Sequence, residues 1–215
     1  IDNELADIKL NKNLPRKDLT KVSFITIDGA DAKDFDDAVH CVKNKSSFTL
    51  SVAIADVAEL VKPGTALDNE AIERGTSIYF PSKVIPMLPE KISNNLCSLV
   101  PDEIRNVLIC EIVFSNSGDL QSYNFLEARI KSHKRMTYIE VDKYLKNNST
   151  LSKSVEDSIR SLSELTHILL KKRSQRQALE IEGQCRHCRT RLGHHNHRQQ
   201  QNDKGGKSCN WQRGY

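Results

Sequence analysis

Asp28, Asp31, Asp34, Asp36 and Asp37 fall within ten residues, immediately after an apolar, β-type run over 22–27. Carboxylates this close repel one another, so such a cluster needs either a cation or full exposure to water. Here the acids sit between two hydrophobic segments, which disfavours full solvation. A hard-cation site is the better reading. A solvated acidic loop is the alternative that spacing leaves open.

The spacing also restricts the cation. A calcium loop places oxygen ligands at its first, third and fifth positions, Gly at the sixth and Glu at the twelfth. Counted from Asp28, the third, fifth and twelfth positions are Ala30, Ala32 and Val39; counted from Asp31, the third and fifth are Lys33 and Phe35. Both frames fail. A few carboxylates without a full oxygen cage suit Mg²⁺ or Mn²⁺, which keep waters and accept phosphate oxygens as further ligands. Such an ion activates water and stabilises charge at phosphorus, so the pattern points to phosphodiester or phosphoryl chemistry.

The string TIDGADAKDFDDAV over 26–39 resembles the RNB family of 3′→5′ exoribonucleases, the ribonuclease II and ribonuclease R enzymes. The likeness continues in order through VAIADV (52–57), RGTSIYFP (74–81), VIPMLPE (84–90), SNNLCSL (93–99) and ARIKSHKRMTY (128–138). The Gly after Ile-Asp and the run from 76 to 90 lie nearer the ribonuclease R branch. The resemblance covers residues 20 to about 180.

The resemblance implies hydrolysis of single-stranded RNA from its 3′ end to nucleoside 5′-monophosphates, assisted by Mg²⁺ or Mn²⁺. The family's acidic quartet corresponds to Asp28, Asp34, Asp36 and Asp37 as metal-holding and catalytic residues. By position, Asp36 is the acid critical for cleavage. Asp31 lies outside the quartet and reads as a locally bonded or exposed residue. Tyr79 and Tyr138 match RNA-contacting aromatics, Tyr79 as part of a clamp on the terminal base. Stacking a base on an aromatic contributes roughly 1–3 kcal/mol whatever the sequence. On the residues alone, Tyr79 is an aromatic in a strand-like run, read as core packing.

The elements that must position these residues are mixed. Strands are expected over 22–27, 38–42, 48–55, 107–114 and 122–130, with 48–55 central and covered on both faces. A short helix over 68–74 stops at Gly75. Pro81, Pro86 and Pro89 force an extended connection. Thr137 and Glu140 form a capping box for a helix to about residue 146, and a helical stripe runs over 153–178. The fold class is α+β: an extended lead-in (1–19), the N-terminal portion of an RNB catalytic domain with a mixed sheet and flanking helices (20–182), and a tail (183–215).

Charge is divided unevenly. The net charge is +4 over 215 residues; the tail holds seven Lys/Arg against Asp203, or +6, which leaves −2 for residues 1–182. RNA affinity therefore requires a local groove rather than bulk charge. Lys131, His133, Lys134 and Arg135 are a candidate basic wall, with a solvated strand end as the alternative. The tail lacks Ala, Val, Ile, Met, Phe and Glu, and its composition predicts disorder; a shifted reading frame near 183 accounts for the break.

Cys185 and Cys188 with His194, His195 and His197 make a zinc-binding module an alternative function, although their spacing departs from finger spacing. A non-catalytic RNA-binding fragment is another. Cys41, Cys97 and Cys110 read as buried free thiols of a reducing compartment. With no secretory signal and no apolar run long enough for a bilayer, a cytoplasmic monomer is expected. The family's flanking oligonucleotide-binding modules and the arginine-bearing second half of its catalytic domain are not recognisable in the chain, so weak or no turnover by itself is expected.

Overall fold

One strand longer than any of its neighbours closes the sheet. The computed structural model describes residues 14–80, 83–147 and 151–178, with Leu5, Ala6, Ile8 and Asn11. In chain order its elements are β1 (Lys17–Asp18), β2 (Phe24–Asp28), β3 (Asp37–Lys43), β4 (Ser47–Ala55), α1 (Val57–Leu60), α2 (Ala66–Arg74), β5 (Ile78–Phe80), β6 (Lys83–Ile85), a π-helical turn (Ile92–Leu96), β7 (Ile104–Ser115), β8 (Leu120–Thr137), α3 (Tyr138–Asn147) and α4 (Lys153–Gln175). The main sheet runs β1-β8-β2-β3-β4-β7, and β7 pairs back onto β8. The ring β8-β2-β3-β4-β7 thus has no free edge of its own.

The two halves of β8 serve different partners. From Leu120 to Lys131 it lies antiparallel to β7, and from Ser132 to Thr137 parallel to β2. The register changes within the second half: Phe24 faces Ser132 but Ile25 faces Lys134, so His133 is an extra residue. Such a bulge reverses which face each later side chain meets. Ala128 and Ile130 join one core and Met136 the other, although all three have the same parity.

The two cores lie on opposite faces of the sheet. The first gathers Phe24, Ala38, Ala53, Val107, Ile109, Ala128 and Ile130, and it extends to Leu88, Ile92, Cys97 and Leu99 of the long connection. The second packs Ile25, Cys41, Phe48 and Met136 against Val141 and Tyr144 of α3 and Val155, Ile159, Leu162 and Leu165 of α4. Ser158 of α4 accepts from the Cys41 backbone N–H at 3.0 Å, a bond from helix to strand across the second core.

Local signals produce the helix ends. Thr65 accepts from Asp68 N and starts α2 two residues before the expected 68, and Gly75 ends it at φ 70°. The capping box forms: Glu140 Oε2 accepts from Thr137 N at 2.7 Å and from Oγ1 at 2.9 Å, while Glu140 N donates to Thr137 Oγ1 at 3.2 Å.

Five expectations need adjustment. The lead-in is stitched into the fold from Arg16, which pairs with Asp56, and through β1, which pairs with β8. The proline-rich connection contains the β5–β6 hairpin. The strand expected over 122–130 continues to Thr137, because β2 supplies partners for its polar end. Cys110 is half-buried, unlike Cys41 and Cys97, whose thiols burial pushes up to about 12. β4 is covered on both faces only in part, since Ile54 is exposed. Among the described residues no helix is long and apolar enough to cross a membrane.

The tight β7–β8 turn gives a test of packing against α4. Gly118 has φ +80°, and a Cβ there would lie 2.7 Å from Ile168 Cγ2; Gly64 has φ +78° and nothing within 4 Å. Gly118→Ala is expected to lower stability by about 1–3 kcal/mol, and Gly64→Ala by less. Urea unfolding checks this, and equal losses would remove the steric contribution.

Candidate active site

The sheet topology brings three chain segments to one end of the ring. β2 ends at Asp28 and β3, its antiparallel neighbour, begins at Asp37, so the intervening loop is a short return over the sheet edge. Asp28 faces Thr137 at the end of β8, and Asp37 faces Ile54 near the end of β4. Tyr138 opens α3 immediately after Thr137.

The loop is fastened through its backbone, so its acidic side chains remain available. Phe35, between Asp34 and Asp36, is only 6% exposed and belongs to the first core. Its N–H donates to Ser98 Oγ at 3.1 Å and its carbonyl accepts from Leu99 N at 2.7 Å. Ser98 Oγ also donates to Lys33 O at 3.1 Å. Ala55 N donates to Asp36 O at 2.9 Å. Arg135 Nη2 donates to Ala30 O at 2.8 Å and reaches Gly29 O and Ala32 O at 3.3 and 3.4 Å. Behind Ser98, the buried Arg105 donates to Ser98 O at 3.0 Å and Asn95 O at 3.3 Å.

Electrostatics follow from this confinement. Burial, then the charges of Asp37 and Asp36, push the Asp28 carboxyl up to about 6, with Arg135 opposing and Asp34 adding to the rise. Asp37 is raised by burial and by Asp36. Asp34 and Asp37 are half-buried, whereas Asp36 is exposed. The four acids act on one another, yet among the described residues no three His, Cys, Asp or Glu side chains converge closely enough to ligate one ion. Uncompensated like charges separate as far as their backbone permits. The donor set nevertheless fits a hard divalent cation: Asp28 Oδ2 is buried with no hydrogen-bond partner, an acceptor in need of positive charge.

The remaining sequence-derived residues divide. Asp31 is exposed, as expected. Tyr138 stands at the acidic end, adjacent in the chain to the register partner of Asp28. Tyr79 stands on the separate β5–β6 hairpin and is 67% exposed, which overturns core packing; Ile78, Phe80, Val84 and Ile85 are exposed beside it. The basic wall does not form as one surface: Lys131 pairs with Asp102 at 3.4 Å, His133 Nδ1 lies 3.0 Å from Lys131 O, and Arg135 turns to the loop carbonyls. Sequence reasoning missed Ser98, whose only signal is a hydroxyl in an otherwise apolar run, and the inward role of Arg135. The Cys185/Cys188 and histidine zinc reading falls outside the described residues.

Comparison with known proteins follows from this geometry. Among protein-family models, the RNB domain matches residues 16–206. Ribonuclease R of Vibrio parahaemolyticus is 48% identical over 171 residues, covering 78% of this chain and 20% of that protein. Ribonuclease R of Escherichia coli is 46% identical over 173 residues, covering 79% and 21%. Mycoplasma genitalium RNase R in complex with ribose methylated single-stranded RNA aligns at 36% identity with a TM-score of 0.78, over 82% of this chain and 28% of that one. The chain spans about a fifth of the length of the curated relatives it matches. The RNB match starts at residue 16, where the fold engages the lead-in, and runs past residue 182; the tail reading of 183–215 lies outside the described residues.

Two outcomes are expected of the isolated protein. Ser98→Ala leaves Phe35 N–H and Lys33 C=O without their partner and costs about 1–3 kcal/mol, measured by urea unfolding. For Asp28, a folded-state value near 6 against the ordinary 3.8 means that the folded form binds more protons between those values. Its ionisation therefore lowers stability as pH rises through that window. Asp28→Asn gains on the order of 1 kcal/mol over wild type at pH 8 after solvent screening, and nothing at pH 3. A wild-type stability that climbs relative to the variant between pH 4 and 6.5 contradicts this.

Proposed function

The chain belongs to the RNB family, and from that premise we propose that it carries the acidic half of a metal-assisted 3′→5′ exoribonuclease centre acting on single-stranded RNA. The observation that carries the reading is the loop of four carboxylates, fixed by its backbone, with Asp28 Oδ2 buried and unpartnered. Single-stranded RNA as substrate draws support from the relative solved with that ligand.

Asp28, Asp34, Asp36 and Asp37 would hold Mg²⁺ or Mn²⁺. When bound, a divalent ion supplies a lowered water pKa and a counter-charge for the phosphodiester oxygens. The residues of this chain provide position. Asp28 and Asp37, anchored at strand ends, fix the inner side of the site. Asp36 is the exposed carboxylate, facing where a substrate phosphate would approach, and it is assigned to the cleavage step. Tyr138 beside the acids and Tyr79 on its hairpin are assigned to base contacts, stacking being indifferent to sequence.

In the net reaction, water oxygen bonds to the terminal phosphorus and the P–O3′ bond breaks. A nucleoside 5′-monophosphate leaves, and the shortened chain keeps a 3′-hydroxyl, its proton supplied by the attacking water. Arg135, the cation acting on Asp28, is committed to backbone carbonyls, so it is not available to grip the scissile phosphate. Arg135 therefore adds no hydrogen bond at the phosphate, and weak or no turnover by this chain alone is the proposed outcome. The free Cys41, Cys97 and Cys110 support a cytoplasmic setting, and a monomer is the proposed state.

The test is 5′-labelled single-stranded RNA with protein in excess and Mg²⁺ or EDTA. At most a slow, Mg²⁺-dependent shortening from the 3′ end is expected, lost in Asp36→Asn while filter-binding of RNA persists. Internal cuts, or shortening that survives Asp36→Asn, sink the assignment. Rapid processive shortening refutes the weak-turnover clause.

A further inference from the structure

Arg135 is the fourth position in a run of basic residues that reads as a nucleic-acid wall, yet its guanidinium points elsewhere. Nη2 bonds Ala30 O at 2.8 Å and lies within reach of Gly29 O and Ala32 O. The guanidinium carbon sits 4.8 Å from the centroid of Phe35, the residue that anchors the loop in the core. These contacts depend on the bulge at His133. In the continued register without it, Arg135 would leave the face shared with Thr26, its present partner, and exchange with Lys134, which is exposed. The inserted residue thus aims a rigid, planar donor at three loop carbonyls.

We propose that Arg135 is a positioning residue for the cation site: it holds the backbone of residues 29–32 over Phe35, so that the loop between Asp28 and Asp37 keeps its path and an arriving ion can draw the four carboxylates together against their repulsion. The inference rests on the reading of Asp28, Asp34, Asp36 and Asp37 as a divalent-cation site. A charge-only role predicts the opposite of a clamp. Arg135 is a positive charge near Asp28, so deleting a mere charge deepens the negative potential and tightens cation binding. Deleting a clamp loosens the loop and weakens it. Lysine carries the charge but lacks the planar fork, so it does not substitute.

The experiment uses the full chain and Mn²⁺ alone, with free ion counted by electron paramagnetic resonance, in wild type, Arg135→Met, Arg135→Lys and Lys134→Met. Arg135→Met is expected to weaken Mn²⁺ binding by about tenfold, the lower end for residues that orient ligands. Arg135→Lys is expected to remain weaker than wild type, and Lys134→Met not to weaken binding. Amide hydrogen exchange accompanies it: faster exchange in Arg135→Met confined to residues 29–36, with β3 and β4 still protected, is the signature of a released loop in a folded protein. Unchanged or tighter binding in Arg135→Met, full affinity in Arg135→Lys, or equal weakening in Lys134→Met each overturns the proposal. Should Arg135→Met fail to fold, Arg135→Lys decides by the same two readouts. If wild type takes up no Mn²⁺, the cation reading falls, and the exchange pattern alone still decides whether Arg135 holds the loop.

Discussion

Like charges are confined by a buried ring. Phe35 sits between Asp34 and Asp36 and cannot leave the first core without exposing itself, so the acids on either side cannot move apart freely. Burying a phenyl side chain contributes roughly 1.5–3 kcal/mol. Each of the backbone bonds at Lys33, Phe35 and Asp36 adds about 0.5–1.5 kcal/mol. A pair of exposed carboxylates a few ångströms apart repels by about 1 kcal/mol in water. The anchoring outweighs the repulsion, and the same confinement raises Asp28 to about 6, first through burial and then through the charges of Asp37 and Asp36. Without this anchor the quartet would relax into a solvated acidic loop, the alternative that spacing left open.

Closure of the sheet supplies the walls against which the anchor works. The parallel pairing of β8 with β2 delivers Thr137 and the start of α3 to the acidic end, and the antiparallel run of β3 and β4 returns Ala55 to the same place. Ser98 comes from the long connection before β7, held from behind by Arg105. Three stretches distant in sequence, at Arg135, Ala55 and Ser98–Leu99, thus converge on one loop of eight residues, and each bonds its backbone. Short strands with free edges would not hold this convergence, because each would bring its own register error to the loop.

What the sequence reveals is what is local. The capping box at Thr137 and Glu140, the stop at Gly75 and the turn before β8 all depend on residues within a few positions of one another, and all of these elements form. What it conceals is set by partners far away. The bulge at His133 exists only because β8 changes partners, and it inverts the parity by which Lys134 and Arg135 would be sorted. Ser98 is one hydroxyl among apolar neighbours until Phe35 N–H, 63 positions earlier, needs an acceptor. Tyr79 shows a third limit: its strand-like surroundings read as core, but among the described residues nothing buries the two-stranded hairpin, whose strand residues are all exposed. The family resemblance placed the acids and tyrosines by position, which substitutes for long-range information that periodicity does not contain.

The division between a fixed backbone and freer side chains has a consequence for chemistry. Asp28 and Asp37 belong to strands and inherit their rigidity, while Asp36 projects outward from a loop whose own carbonyl is tied to Ala55. Under the proposed function, a site that accepts successive phosphates needs inner groups that do not reorganise and an outer group that meets each new substrate in water. Preorganisation lowers the cost of assembling charge at the moment of reaction only if it is built before the substrate arrives. Here it is built from backbone bonds, from Ser98 and from a guanidinium that faces carbonyls. The arginine that acts on Asp28 faces loop carbonyls, so its positive charge serves the loop backbone before it can serve an approaching phosphate.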